Sequence, residues 1–273
     1  MAENNYSIVI AKYGSRFAPR NEIFLNCADP VDDPIGMGYF FWVIRNENHN
    51  LLVDTGFNPQ VGRRRGRVVH ADPVELAQRL GVGPSTMPDV IVTHAHYDHI
   101  GNLNAFSRSR ILIAASELSF WAGPMASRGE FRDLTEPQEI AGLMEADAQR
   151  RVRPIEDGFE AAPGVILHVV GGHTAGQLMI EVPTSQGLVL LTSDALHYEE
   201  ELERDLPFAH LSSLPDTYKA FDIISDYRQA GAIVVPGHDL MAFSRLGNPV
   251  LGLEELTATI GTWDPLPNQS SVS

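Results

Sequence analysis

Val90-Ile91-Val92 runs directly into Thr93-His94-Ala95-His96-Tyr97-Asp98-His99, and this stretch decides how the rest of the chain is read. His94, His96, Asp98 and His99 place four metal-capable side chains within six residues. Neither a helix nor a strand can aim all four at one point, because both repeats turn neighbouring side chains in different directions. They converge only in a loop, folded around something that binds imidazole and carboxylate. Nitrogen and oxygen donors of this kind suit zinc first, then iron, manganese or cobalt. The alternative is a polar loop of mutually hydrogen-bonded histidines, which explains one histidine more easily than a cluster.

The same grammar recurs along the chain: a short apolar strand, a loop marked by Gly or Thr, then a metal-capable residue. Val165 to Val170 leads into Gly171-Gly172-His173-Thr174-Ala175-Gly176, and Leu188 to Leu191 into Thr192-Ser193-Asp194. Ala232 to Val235 leads into Pro236-Gly237-His238-Asp239. Strand ends of this kind line one edge of a sheet with ligands. Tyr39 to Ile44 and Leu51 to Val53, split by Asn46-Glu47-Asn48-His49-Asn50, form a hairpin whose second strand ends in Asp54-Thr55-Gly56.

Between these landmarks, Tyr6 to Tyr13 reads as a first strand. Gly14 to Gly38 reads as a long loop with apolar anchors at Phe17, Phe24 and Met37. Asp72 caps a helix through Leu80, with Pro73 at its first position. Asn102 to Phe106 begins another helix, and Ser116 caps one that runs to Trp121. Gly123 to Arg153 breaks the pattern. Within it, Glu136 to Arg150 is helical with Ile140, Leu143 and Met144 on one side, so the insertion is a lid, a substrate wall or a dimer contact. Pro215 to Ala230 is an amphipathic helix with Tyr218, Phe221, Ile223 and Ile224 on or near its inner side. The Pro-, Ser- and Asn-rich tail after Trp263 reads as frayed.

Length and composition bound the answer. A chain of 273 residues with 44% apolar content, 18 Pro and 23 Gly fits one loop-rich α/β domain spanning residues 1–273. No stretch approaches the ~20 continuous apolar residues of a membrane helix, and the first residues lack a basic flank, so a cytoplasmic protein with no membrane partner is expected. Cys27 is the only cysteine. It forms no internal disulfide and is either a lone nucleophile or a small buried apolar residue. The formal charge of −15 opposes a nucleic-acid partner. Arg63-Arg64-Arg65 with Arg67 reads as a solvated loop, with a contact to an acidic group or a partner subunit as the other option.

Taken together, the HxHxDH pattern at His94, His96, Asp98 and His99, followed in order by His173, Asp194 and His238, resembles the metallo-β-lactamase superfamily of hydrolases. Asp54-Thr55-Gly56 and Gly172-His173-Thr174 match too, and the likeness covers about Tyr39 to Asp239. It implies an αββα four-layer sandwich and two divalent metal ions, zinc first, at one sheet edge. His94, His96 and His173 would hold one ion, and Asp98, His99 and His238 the second. Asp194 would bridge them, leaving room for a shared attacking hydroxide. Asp98 would shuttle the proton to the leaving group. Asp54 would accept a hydrogen bond from a ligand histidine, or else be an ordinary turn residue.

Within the superfamily the spacing is most similar to N-acyl homoserine lactone lactonases and related small-lactone hydrolases. Those enzymes carry a Tyr three residues after the bridging Asp that contacts the substrate carbonyl. Here that position is His197, with Tyr198 one further on, so either supplies the donor or the substrate differs. The expected reaction is the opening of a small lactone, ester or cyclic amide. Acyl homoserine lactones and glyoxalase-type thioesters are alternatives, and a metal-stabilised binding protein is the non-enzymatic one. Phe24, Met37, Phe120, Trp121, Met125, Tyr198, Phe208 and His210 are the pocket candidates, which predicts an apolar or aromatic carbonyl-containing substrate. A homodimer is a further option.

Overall fold

Ile8 and Ile10 face one side of their strand while Val9 and Ala11 face the other, and all four are buried. The sheet that contains them is therefore covered on both faces. The computed structural model describes residues 5–30 and 33–263, so the tail expected to fray after Trp263 lies outside the described residues. In chain order, β1 (Ser7–Pro19), β2 (Pro34–Arg45), β3 (Asn50–Val53), β4 (Val68–Val69), β5 (Asp89–Ile91), β6 (Ile111–Ala114) and β7 (Val152–Ile155) belong to the first sheet. β8 (Phe159–Ala162), β9 (Val165–Val169), β10 (Leu178–Thr184), β11 (Gly187–Ser193) and β12 (Ile233–Pro236) form the second, and β13 (Thr257–Ile260) returns to the first. The first sheet runs β13-β1-β2-β3-β5-β6-β7 with β4 on β1, and the second runs β12-β11-β10-β9-β8.

Three apolar layers account for the architecture. Ile8, Ile10, Trp42, Ile44 and Val53 from the first sheet meet Leu167, Ile180, Val182 and Leu191 from the second. Each such fully buried side chain contributes ~1.5–3 kcal/mol. On the outer face of the first sheet, Val9, Phe41, Leu52 and Val90 pack against Leu76, Leu80, Leu143 and Ala146. On the outer face of the second, Met179 and Leu190 pack against Ala220, Phe221 and Ile224 of the helix Leu214–Gln229. Helix, sheet, sheet, helix is the expected αββα order.

The structure departs from the expected long loop at Gly14 to Gly38. β1 continues to Pro19 and pairs with β2 from Pro34 onward, with a bulge between Lys12 and Gly14. The glycines misled because they mark close approach rather than turns. A Cβ on Gly38 would lie 2.4 Å from the Phe40 ring, and one on Gly14 would lie 2.7 Å from Phe57.

Smaller differences follow from local chemistry. Asp72 accepts from Val74 and Glu75 N–H as expected. Ser116 is not a cap, since the helix Ala115–Ala122 starts one residue earlier with no side-chain capping bond. Leu103–Phe106 is a single 3-10 turn. In the Leu214–Gln229 helix, Phe221 and Ile224 are buried, whereas Tyr218 and Ile223 are exposed. The arginine run is not a free loop. Arg63 and Arg64 end the helix Pro59–Arg64, and Arg64 and Arg65 both pair with Glu136.

Candidate metal centre

β3 and β5 run parallel, as do β11 and β12, and β9 runs in the same sense as β11 because both lie antiparallel to β10. Their carboxyl ends therefore open onto one edge, where Asp54, His94, His173, Asp194 and His238 follow the last strand residues. Hydrogen bonds join the two sheets there. Leu178 N donates to Thr93 O at 3.0 Å, Ser193 Oγ to Thr93 Oγ1 at 2.9 Å, and Gly38 N to His238 O at 2.9 Å. Two non-glycine residues at these ends, Asp54 (φ 62°) and Ser193 (φ 45°), take left-handed backbone. That conformation costs ~1–3 kcal/mol and persists only where the surroundings enforce it.

The ring nitrogens show what the edge is built to hold. His173 Nδ1 donates to His210 O at 2.8 Å, and His238 Nδ1 to Gly38 O at 2.6 Å. His99 Nδ1 donates to Asp54 Oδ2 at 2.7 Å. A carbonyl or carboxylate can only accept, so in each ring Nδ1 carries a proton and Nε2 is turned toward the cluster. His94 Nε2 and His173 Nε2 each lie 3.0 Å from His96 Nδ1, so three ring nitrogens converge where a cation could sit between them. His99 Nε2 is buried with no hydrogen-bond partner. His94, His96 and His173 form one group with ligand atoms within 4.8 Å of one another, and Asp98, His99 and His238 another. Asp194 reaches both groups: its Oδ1 is 3.3 Å from His99 Nε2, and its Oδ2 is 3.1 Å from His238 Nε2 and 3.5 Å from His173 Nε2. The donor set, two His-rich trios sharing one carboxylate, suits two metal ions.

Electrostatics agree. Burial, reinforced by neighbouring rings, pushes the His94 and His173 pKa values well below 6.5, and burial takes His96 down to about 3, so these rings are neutral, as ligands must be. Burial would raise Asp194, but His238, His99 and His197 around it hold it well below the usual range. His99 is pulled the other way: burial lowers it, yet Asp194, Asp54 and Asp98 together lift it well above 6.5. Acidic groups crowded around that ring call for positive charge.

The sequence pattern of the metallo-beta-lactamase superfamily matches residues 36–238. The chain belongs to the metallo-beta-lactamase superfamily. This is a family of metal-dependent hydrolases. The N-acyl homoserine lactonase of Bacillus cereus is 32% identical over 188 residues, covering 63% of this chain and 69% of that protein. A solved N-acyl homoserine lactone hydrolase, with the product N-hexanoyl-L-homoserine bound at its catalytic metal centre, superposes with a TM-score of 0.71 at 20% identity, covering 89% of this chain and 96% of that one. AidC, a dizinc quorum-quenching lactonase in complex with the same product, gives 0.69 at 16% identity with 96% of each chain covered. At these identities the likeness is one of fold. No helix among the described residues is long and apolar enough to cross a membrane.

In this metallo-beta-lactamase superfamily member, His197 and Tyr198 point to opposite sides. His197 Nε2 lies 3.2 Å from Asp194 Oδ2 and its Nδ1 3.3 Å from Glu201 Oε1, both too bent to be hydrogen bonds, and its ring stacks on Phe208 at 3.7 Å. Burial lowers its pKa, but Asp194 and Glu201 raise it to about 9. Tyr198 instead faces Phe24, with ring centroids 5.7 Å apart, and is buried away from the ligands. Phe24 stands with it in the core and lines neither cavity at the metal edge. Phe120, Trp121, Met125 and His210 line a cavity of ≈ 350 Å³, and Met37, Phe208 and His210 a smaller one of ≈ 110 Å³ that reaches Asp98 and Asp194. The insertion divides. Met125, Arg128, Phe131 and Leu134 wall the larger cavity, while Leu143 and Ala146 of the helix Pro137–Ala148 belong to the core.

Sequence reasoning missed two carboxylates that brace the site. Glu117 accepts from Ala95 N, Gly176 N and Trp121 Nε1 at 2.7–2.9 Å, tying the His94–His96 loop to the His173 loop. Glu201 accepts from His197 N, Tyr198 N and Phe208 N at 2.6–3.0 Å. A glutamate in a short helix gives no sequence signal of being buried. Tyr13, whose hydroxyl donates to Asp98 O at 2.6 Å, was equally silent.

Proposed function

We propose that this chain opens a lactone ring by hydrolysis at a two-metal centre, with zinc in both positions. The observation that carries the reading is Asp194, a single carboxylate within 3.1–3.5 Å of ring nitrogens from two separate histidine-rich trios. His94, His96 and His173 would hold one ion, Asp98, His99 and His238 the other, and Asp194 would join them. When bound, two such ions lower the pKa of water to near neutrality and polarise a carbonyl. The protein's own groups do the rest. Asp54 orients His99, and Asp98, lining the smaller cavity, takes the proton from the attacking water and returns it to the departing ring oxygen. Of the two candidates for donor to the substrate carbonyl oxygen, only His197, packed flat on Phe208 and 3.2 Å from Asp194, is on the ligand side, and Tyr198 is turned away from that role. The aromatic and aliphatic walls of the larger cavity exclude water and take an apolar or aryl portion of the substrate.

Acyl homoserine lactones are a second reading, favoured by the size and apolar lining of that cavity and by the activities named for the relatives. Metal analysis together with a panel of γ-lactones, N-hexanoyl-L-homoserine lactone, aryl esters and a thioester tests both readings. Two equivalents of zinc and fastest turnover on a lactone are expected. Bound metal without turnover on any member would turn the reading to a metal-stabilised binding protein, and fastest turnover on the thioester to a thioesterase.

A further inference from the structure

In a chain with a formal charge of −15, two arginines line the smaller cavity at the metal edge without an ion pair among the described residues. Arg16 and Arg67 both line the ≈ 110 Å³ cavity together with Asp98 and Asp194, and neither forms an ion pair among the described residues. Arg20, Arg64, Arg65 and Arg204, by contrast, are each paired with carboxylates. Arg16 lies on β1 opposite Met37 of β2, and its Nε donates to the Met37 sulfur at 3.3 Å. Arg67 is anchored through its backbone N–H to Gly62 O at 2.8 Å, and its Nε donates to Tyr97 Oη at 3.0 Å. Its guanidinium stands 5.8 Å from the Tyr39 ring and 5.9 Å from the Tyr97 ring. Uncharged groups thus hold both guanidiniums through Nε, and the remaining guanidinium N–H groups form no ion pair among the described residues.

Charge balance says they are not there to neutralise the ligands. Two divalent ions would already be balanced by Asp54, Asp98, Asp194 and the attacking hydroxide, so the two arginines leave the cavity with net positive charge. A cavity this positive attracts an anion. We propose that Arg16 and Arg67 form an anion subsite, and that the substrate is a lactone bearing a carboxylate next to its scissile carbonyl rather than a neutral acyl lactone. The proposal rests on the lactonase reading for its substrate, but the subsite can be tested without turnover.

Calorimetric titration of the zinc-loaded full chain with phthalate and with benzoate makes that test. Both offer one carboxylate to the metals, and only phthalate offers a second to the arginines. Phthalate is expected to bind at least 10-fold more tightly, a difference of about 1.4 kcal/mol. In Arg16→Gln and Arg67→Gln that ratio should fall toward one, and Arg67→Lys should keep a good part of it, with zinc content checking that each variant is folded. A parallel measurement compares kcat/KM for a carboxylated γ-lactone and its methyl ester, where the wild-type preference should shrink in the same variants. Equal affinity for the two acids, or variants that leave the ratio intact, would overturn the subsite. An arginine-dependent preference for phthalate in a protein that opens no lactone would keep the subsite and remove the lactonase reading. Turnover of neutral lactones with no such preference would do the reverse.

Discussion

At the scale of single residues, the centre separates side chains that would hold a metal from those that would aim them. Asp194→Asn removes charge from the group common to both trios. Metal content should drop from two equivalents to one or fewer, with most turnover lost, and wild-type values for both would exclude a shared carboxylate. Asp54 already sits at φ 62°, a conformation that Asn tolerates, so Asp54→Asn changes charge with little backbone effect. Because Asp54 bonds to His99 Nδ1 and twice to Thr93, this variant should bind metal about 10–100-fold more weakly, as read by competition with a chelating dye. His197→Gln should keep both metals and lose about 10²-fold in kcat. Tyr198→Phe should keep its rate, since that hydroxyl makes no hydrogen bond and lies on the core side. The reverse ranking would move the donor role to Tyr198.

At the scale of elements, the helix Pro137–Ala148 carries a buried liability. Glu139 is 9% exposed with Oε2 unpartnered, and burial, helped by Glu136 and Asp98, pushes its pKa up to about 8. A carboxyl with a folded pKa of about 8 and an ordinary unfolded one holds more protons when folded. Its stabilising contribution is complete at pH values below the unfolded pKa and is lost as pH rises toward 8. Glu139→Gln should therefore flatten the fall of Tm between pH 5 and 8, and an unchanged slope would show that the carboxylate is relieved in another way. The β1–β2 pairing makes a second element-scale prediction. Gly38→Ala forces a methyl into the Phe40 ring at 2.4 Å, an overpacking that costs about 1–3 kcal/mol. In a domain of this size each kcal/mol moves Tm by about 2–4 °C.

At the scale of the whole molecule, the candidate ligands come from both layers. His94, His96, Asp98 and His99 follow β5 of the first sheet, and His173, Asp194 and His238 follow β9, β11 and β12 of the second. Metal bound between them ties one sheet to the other, so it binds the folded chain and not the unfolded one. At a free concentration 100 times Kd such linkage adds about 2.7 kcal/mol for each site. Removal of metal by a chelator should lower Tm by several degrees and zinc should restore it, measured by differential scanning fluorimetry. An unchanged Tm would mean that the histidine edge is held together by the sheets alone.

The amino-acid sequence by itself determined the fold class and singled out the candidate ligands. Four candidate ligands stand in one contiguous stretch, and His173, Asp194 and His238 each follow an apolar run, so local patterns alone place them at strand ends. Tertiary structure alone decided which of two adjacent residues faces the ligands. His197 and Tyr198 have neighbouring positions and opposite surroundings, and only the docking of Phe208 and Phe24 tells them apart. It also turned the two ends of Gly14 to Gly38 from loop into strand, because the glycines there answer to rings at Phe40 and Phe57. It brought Glu117, Arg16 and Arg67 to the site through contacts with residues distant in the chain, Gly176, Met37 and Tyr97, and no local pattern encodes that approach.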